Sequence, residues 1–111
     1  MRKTFPLVLV TLLPMSVWAA SEKDIDTMTT VATMYGRAIG CGIAPDSMGQ
    51  EIGKWFDRHF PKGTEQATYM PIFMAGVKKN AQAQHEGTSP DSCGVVASFF
   101  KSQEYKQTIA Q

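Results

Sequence analysis

The sequence predicts an all-α protein, a small four-helix domain closed by one intrachain disulfide. Three observations carry that expectation. Beyond residue 20 the apolar residues recur at helical spacing. No β-branched alternating run is long enough for a strand. Only two cysteines are present, Cys41 and Cys93, and they follow a segment that reads as an export address.

Residues 1–19 form that address. Arg2-Lys3 supply a positive start, and Phe5 to Val17 is an apolar run broken by Thr11, Ser16 and two prolines. Val17 and Ala19 then put small residues at the two positions a signal peptidase inspects. Cleavage after Ala19 fits best, because cleavage after Ala20 would put bulky Trp18 three residues back. The run is short for a membrane span, which needs ~20 residues, and Pro14 interrupts it. No cysteine stands at the cleavage site for a lipoprotein. The expected mature chain is one domain, residues 20–111, in the periplasm of a Gram-negative bacterium or secreted, with no stable membrane span. In that compartment disulfides form and persist.

The first helix starts at Ser21, with Asp24 three residues on as a capping-box-like pair. Glu22, Asp24 and Asp26 place negative charge at the positive end of its dipole. Ile25, Met28, Ala32, Tyr35 and Ile39 form one apolar stripe, and Gly40 and Gly42 stop the helix at Cys41. Ile43-Ala44-Pro45 connects to a second helix. There Ser47 and Gln50 resemble another capping box, and Met48, Ile52, Trp55, Phe56 and Phe60 share a face. Pro61-Lys62-Gly63 ends it.

Thr64 is positioned to cap a third helix, in which Tyr69, Phe73, Val77 and Ala81 hold the i, i+4 pattern. Pro71 predicts either a kink or a restart there. Gly87 is its stop. Ser89-Pro90 reads as an N-cap followed by proline at the first helical position. The fourth helix then turns Cys93, Val96, Ala97 and Phe100 inward. From Ser102 on, the polar end is expected to fray. Cys41 closes the first helix and Cys93 opens the fourth, which points to a parallel or crossing arrangement of those two helices. Each cysteine is followed by a glycine (Gly42, Gly94), which allows close backbone approach.

Composition bounds the function. Without Arg2 and Lys3, nine lysines and arginines face ten aspartates and glutamates, a net charge of −1. That balance argues against nucleic acid, which wants a clustered positive face. A domain of this size benefits from an added staple. In the chain-entropy account, joining Cys41 to Cys93 stabilises by about 4 kcal/mol. Pairing with another chain is the open alternative. No C-x-x-C is present for a redox pair or haem attachment.

Catalytic and metal-binding signals are weak. His59 and His85 have no ligand spacing typical of zinc, and Asp57, two residues from His59, does not share its helical face. Ser47, Ser89, Ser92 and Ser98 lie in no G-x-S-x-G elbow. Glu51, Asp57, Glu65 and Glu86 read as helix-surface charges rather than paired acids. The expectation is therefore no catalytic residue, no metal and no cofactor.

The aromatic pairs Trp55-Phe56 and Phe99-Phe100 are more informative. Neighbours on a helix point ~100° apart, so each pair widens the apolar face. They make either a broad core face or an exposed patch for a partner. Trp55, Phe56, Phe99 and Phe100 are thus the expected contact residues if the protein binds another. Lys78-Lys79 is a small basic spot on a solvated face.

The spacing of Cys41-Gly42, Trp55-Phe56, the Tyr69, Phe73, Gly76 helix and Cys93-Gly94 resembles small secreted helical accessory proteins of bacterial conjugation and type IV secretion systems. That resemblance implies a protein-binding accessory role in the envelope and carries over no catalytic residue. The single disulfide closing a long loop is also similar to periplasmic acid-stress chaperones of the HdeA type, an alternative function. A small secreted toxin or hydrolase is a third.

Overall fold

The structure is a computed structural model that describes residues 20–111. The expected leader, residues 1–19, lies outside the described residues. Five helices account for most of the rest, with no strand among the described residues: α1 (Glu22–Cys41), α2 (Asp46–His59), α3 (Thr64–Glu86), α4 (Cys93–Lys101) and α5 (Gln103–Ala110).

The all-α expectation holds, but the described residues form five helices rather than four. The stretch expected to fray is α5. Ser102 ends α4 and caps α5, accepting the Tyr105 backbone N–H at 3.1 Å. Tyr105 and Ile109, one turn apart, are buried, and their packing holds the short helix in place.

The long helices α1 and α3 form the main packing pair, and they run parallel. Ala32 lies against Gly76, Gly36 against Val77 and Asn80, and Gly40 against Ala81 and Gln84. A Cβ on Gly36 or Gly40 would fall closer than 3.0 Å to a backbone carbonyl oxygen of α3. Glycine at those two positions is what allows the helices to approach so closely. Gly40 is therefore a packing residue inside α1. The stop is Gly42, which turns left-handed at φ 74° and donates its N–H to the α1 carbonyls.

Helix α2 returns antiparallel to α1, so that its His59 reaches Asp24. Helices α4 and α5 also run back along α1. Cys93 meets Cys41, Val96 packs with Met34 and Ala38, and Tyr105 reaches the level of Val31. The first and fourth helices are thus antiparallel, not parallel or crossing. Antiparallel pairing is what brings the end of one level with the start of the other.

Local signals differ from expectation at several more places, although the expected cap of α1 is formed. Ser21 does cap α1, accepting the Asp24 N–H at 3.0 Å. Helix α2, however, begins at Asp46 after Pro45 with no side-chain cap, so Ser47 and Gln50 form no box. Helix α3 begins at Thr64 behind Gly63, whose φ of 112° is open to glycine, and no side chain caps it. Pro71 lies within one continuous helix, and α4 is capped by Ser92 rather than Ser89. Along α1, Ile39 is exposed at 42%, while Val31, Met34 and Ala38 are buried, because α1 packs on both α3 and α4 and its covered face is wider than one stripe.

The main core lies where the first halves of α1 and α3 meet α2 and α5. Trp55, Phe56, Phe60, Ile52, Phe73, Tyr105 and Ile109 close over Met28, Val31 and Ala32. Phe56 stacks on Phe60 with ring centroids 4.7 Å apart, and Phe60 meets Tyr69 at 5.1 Å. Each such ring contributes about 1.5–3 kcal/mol by leaving water.

Candidate functional site

Cys41 and Cys93, 52 positions apart in sequence, form the intrachain disulfide, with Cα atoms 5.7 Å apart. The bridge lies within a polar network. Arg37 of α1 pairs with Asp91, and Gln84 of α3 donates to the Asp91 carbonyl at 3.0 Å. The loop between α3 and α4 is therefore tied through Asp91 to both α1 and α3, two residues before Cys93.

Of the four residues expected to meet a partner, Trp55 and Phe56 are 1% exposed and belong to the core. They offer no surface. The wide apolar face that the adjacent aromatics create on α2 is turned inward, toward α1 and α3. Phe99 and Phe100 are half-buried, 5.0 Å apart edge to face, and both lean on Tyr105. Their packing supports α5.

His59 is not a solvated surface histidine. Its ring stacks on Trp55 at 4.9 Å, and Nδ1 hydrogen-bonds Asp24 Oδ1 at 2.9 Å. The partner acid is Asp24, thirty-five residues away, rather than Asp57. Nε2 is buried and meets no polar atom, and among the described residues no hydroxyl hydrogen-bonds either histidine. The pair ties the end of α2 to the start of α1. His85 is exposed. No group of three His, Cys, Asp or Glu that could hold a metal ion occurs among the described residues.

The fold strongly displaces the ionisation of Tyr105. Burial comes first and the neighbouring Glu51 carboxylate second; both push the phenol upward. The O–H donates to Glu51 Oε1 at 3.1 Å.

The surface that stands out is the outward face of α3. The run from Ala67 to Val77 carries no charge. Its Phe73 and Val77 turn into the core, with Tyr69, Met70 and Gly76 half-covered beside them. The opposite side stays open: Ile72 is 55% exposed and Met74 53%, and they flank exposed Thr68, Pro71 and Ala75. A helix that is apolar all round is one built to be covered all round. Pro71 adds a polar feature to this strip. It has no N–H for the carbonyl of Ala67, one turn back and also exposed, and so leaves that acceptor without its helical donor. Lys78 and Lys79 follow immediately, exposed, and neither forms an ion pair among the described residues.

Sequence reasoning took α3 as a core helix and passed over this face. Aligning Phe73 and Val77 inward puts Ile72 and Met74 on the two shoulders of the opposite side, but with apolar residues on both faces only the packing of α1 shows which face is covered. A smaller apolar group, Ile39, Ile43 and Val95, is exposed close in sequence to the two cysteines.

No family model, curated protein or solved structure matches this chain. No helix among the described residues is long and apolar enough to cross a membrane.

Proposed function

We propose that the protein works in the bacterial cell envelope after export, as a non-enzymatic factor that binds another protein through the outward face of α3. The single observation that carries this reading is the exposure of Ile72 and Met74 within the uncharged run Ala67–Val77. These two apolar side chains stand at the two edges of one uncharged face, with Thr68, Pro71 and Ala75 between them, which favours a partner that lays an apolar helix or strand across that face. Lys78 and Lys79 at its end favour carboxylates on the same partner. The disulfide suits an oxidising compartment. The resemblance to accessory proteins of conjugation and type IV secretion supports a partner drawn from such an assembly.

Photo-crosslinking side chains at Ile72, Met74 and, as a control on the far side, Lys106 test the reading in intact cells. The expected outcome is a discrete adduct from positions 72 and 74, lost when Lys78 and Lys79 are both changed to Glu, and none from position 106. Equal adducts from all three positions, or adducts indifferent to the lysine changes, would overturn it.

A further inference from the structure

We infer that Ala20 is the mature amino terminus and that Glu65 is the carboxylate that receives it, so that removal of the leader itself creates an ion pair joining the starts of α1 and α3. The existence of a cleaved leader is taken from the export reading above. The position of the cut and the identity of its acceptor are separate claims.

The Ala20 backbone nitrogen donates to Glu65 Oε1 at 2.8 Å. Ala20 is half-buried against the main core and lies just ahead of the α1 N-cap, Ser21. Glu65 stands in the first turn of α3. Because α1 and α3 are parallel, their first turns are level, and one short hydrogen bond spans them.

Hydrolysis of the Ala19–Ala20 bond by an envelope peptidase consumes one water. The Ala19 carbonyl carbon takes the oxygen and leaves with the leader as a carboxylate, and the Ala20 nitrogen takes the protons and becomes an ammonium. An amide offers Glu65 one neutral N–H; the ammonium offers three and a full positive charge. The Glu65 carboxylate already assists the bond from the amide; the ammonium adds a charged donor, and with it the attraction of an ion pair. The seat occupied by the amide in the unprocessed chain therefore becomes a tighter one after the cut.

Electrostatics also discriminates between the two candidate cuts. Cleavage after Ala20 would place the ammonium on Ser21, the N-cap itself, where it opposes the helix dipole and stands beyond the observed bond to Glu65. Cleavage after Ala19 sets it one residue outside the helix, directly on a carboxylate. The small residues at Val17 and Ala19 favour the same bond.

The test uses processed protein recovered from cells expressing the full chain. Intact mass should correspond to residues 20–111. A mass beginning at Ser21 or elsewhere overturns this inference alone, whereas an uncut chain overturns the export reading with it. Processed wild type and Glu65→Gln are then each compared with and without selective acetylation of the α-amine, which restores a neutral amide like that of the uncut chain. The substitution should lower the folded-to-unfolded ratio by about threefold more in the free-amine form than in the acetylated form. An equal effect in both forms means that no ion pair is made.

Discussion

The two ends of α1 are held by different means. At its start, α1 is surrounded by rings: Trp55, Phe56, Phe60, Phe73 and Tyr105 are all buried there. Asp24 reaches His59, and Ala20 reaches Glu65. At its far end the buried cluster among the described residues is the smaller one of Met34, Ala38 and Val96. Backbone against backbone through Gly36 and Gly40, the Arg37–Asp91 pair and the disulfide do the holding there. A domain too small to extend one core along its whole length has concentrated burial at one end and covalent closure at the other. The candidate docking strip on α3 lies between them, on the side that neither end covers.

Opening the disulfide is the sharpest way to break this contrast. Replacing Cys41 and Cys93 together by Ser should remove about 4 kcal/mol. Against a typical stability of ~5–15 kcal/mol, that is a large share. The loss should also be local in its onset. Hydrogen exchange in the variant should expose the amides of residues 38–41 and 95–99 first, while those of residues 55–60 keep their protection. Uniform loss of protection over both groups would show that the two ends are one cooperative unit and that the contrast is only geometrical.

The glycines sharpen it further. Gly36→Ala forces a Cβ onto the Val77 carbonyl and Asn80, and should cost about 1–3 kcal/mol as α3 is pushed away. Gly53→Ala, inside α2 with no atom near its Cβ position, should stabilise by up to about 1 kcal/mol, the ordinary helix propensity gain. Urea midpoints of the two variants read the difference directly. The same sign for both would mean that α1 and α3 can separate without penalty and that the disulfide alone maintains that end.

These contrasts were legible in the sequence to different degrees. Helical spacing on Ile52, Trp55, Phe56 and Phe60 is enough to assign the buried face of α2, because burial follows periodicity when one face is covered. The glycines were harder. Ala32, Gly36 and Gly40 follow one another at one-turn intervals, a small-residue strip, yet glycine near a helix end reads equally as a stop, and only the position of α3 decides between the two. Helix α5 escaped because its two apolar residues, Tyr105 and Ile109, are too few to signal an amphipathic helix until Ser102 is seen to cap it. The pairing of Asp24 with His59 depends on α2 returning along α1, a tertiary fact with no local trace. The outward side of α3 was hidden by its own composition: apolar residues on both faces leave almost no periodic contrast to read.

Tyr105 tests the ring-rich end by pH. Its O–H donates to Glu51, which is exposed and keeps access to water, so Tyr105→Phe should cost only about 1 kcal/mol at pH 8. The alkaline behaviour is more telling. Burial and Glu51 raise the phenol in the folded chain above its unfolded value of about 10. A group raised on folding contributes stability that is intact below the unfolded value and is lost as pH climbs beyond it, because the unfolded chain releases the proton first. Wild type should therefore lose about 1.4 kcal/mol by one pH unit above that value, a loss the Phe variant does not share. The gap between the two proteins should be largest at pH 8, close between pH 10 and 11 and be reversed by about pH 11, read from urea midpoints across the series. A gap that stays constant from pH 8 to pH 11 would mean that Tyr105 ionises as freely in the folded chain as in the unfolded one. The core at this end would then be open to water, and its difference from the disulfide end would lie in ring count alone.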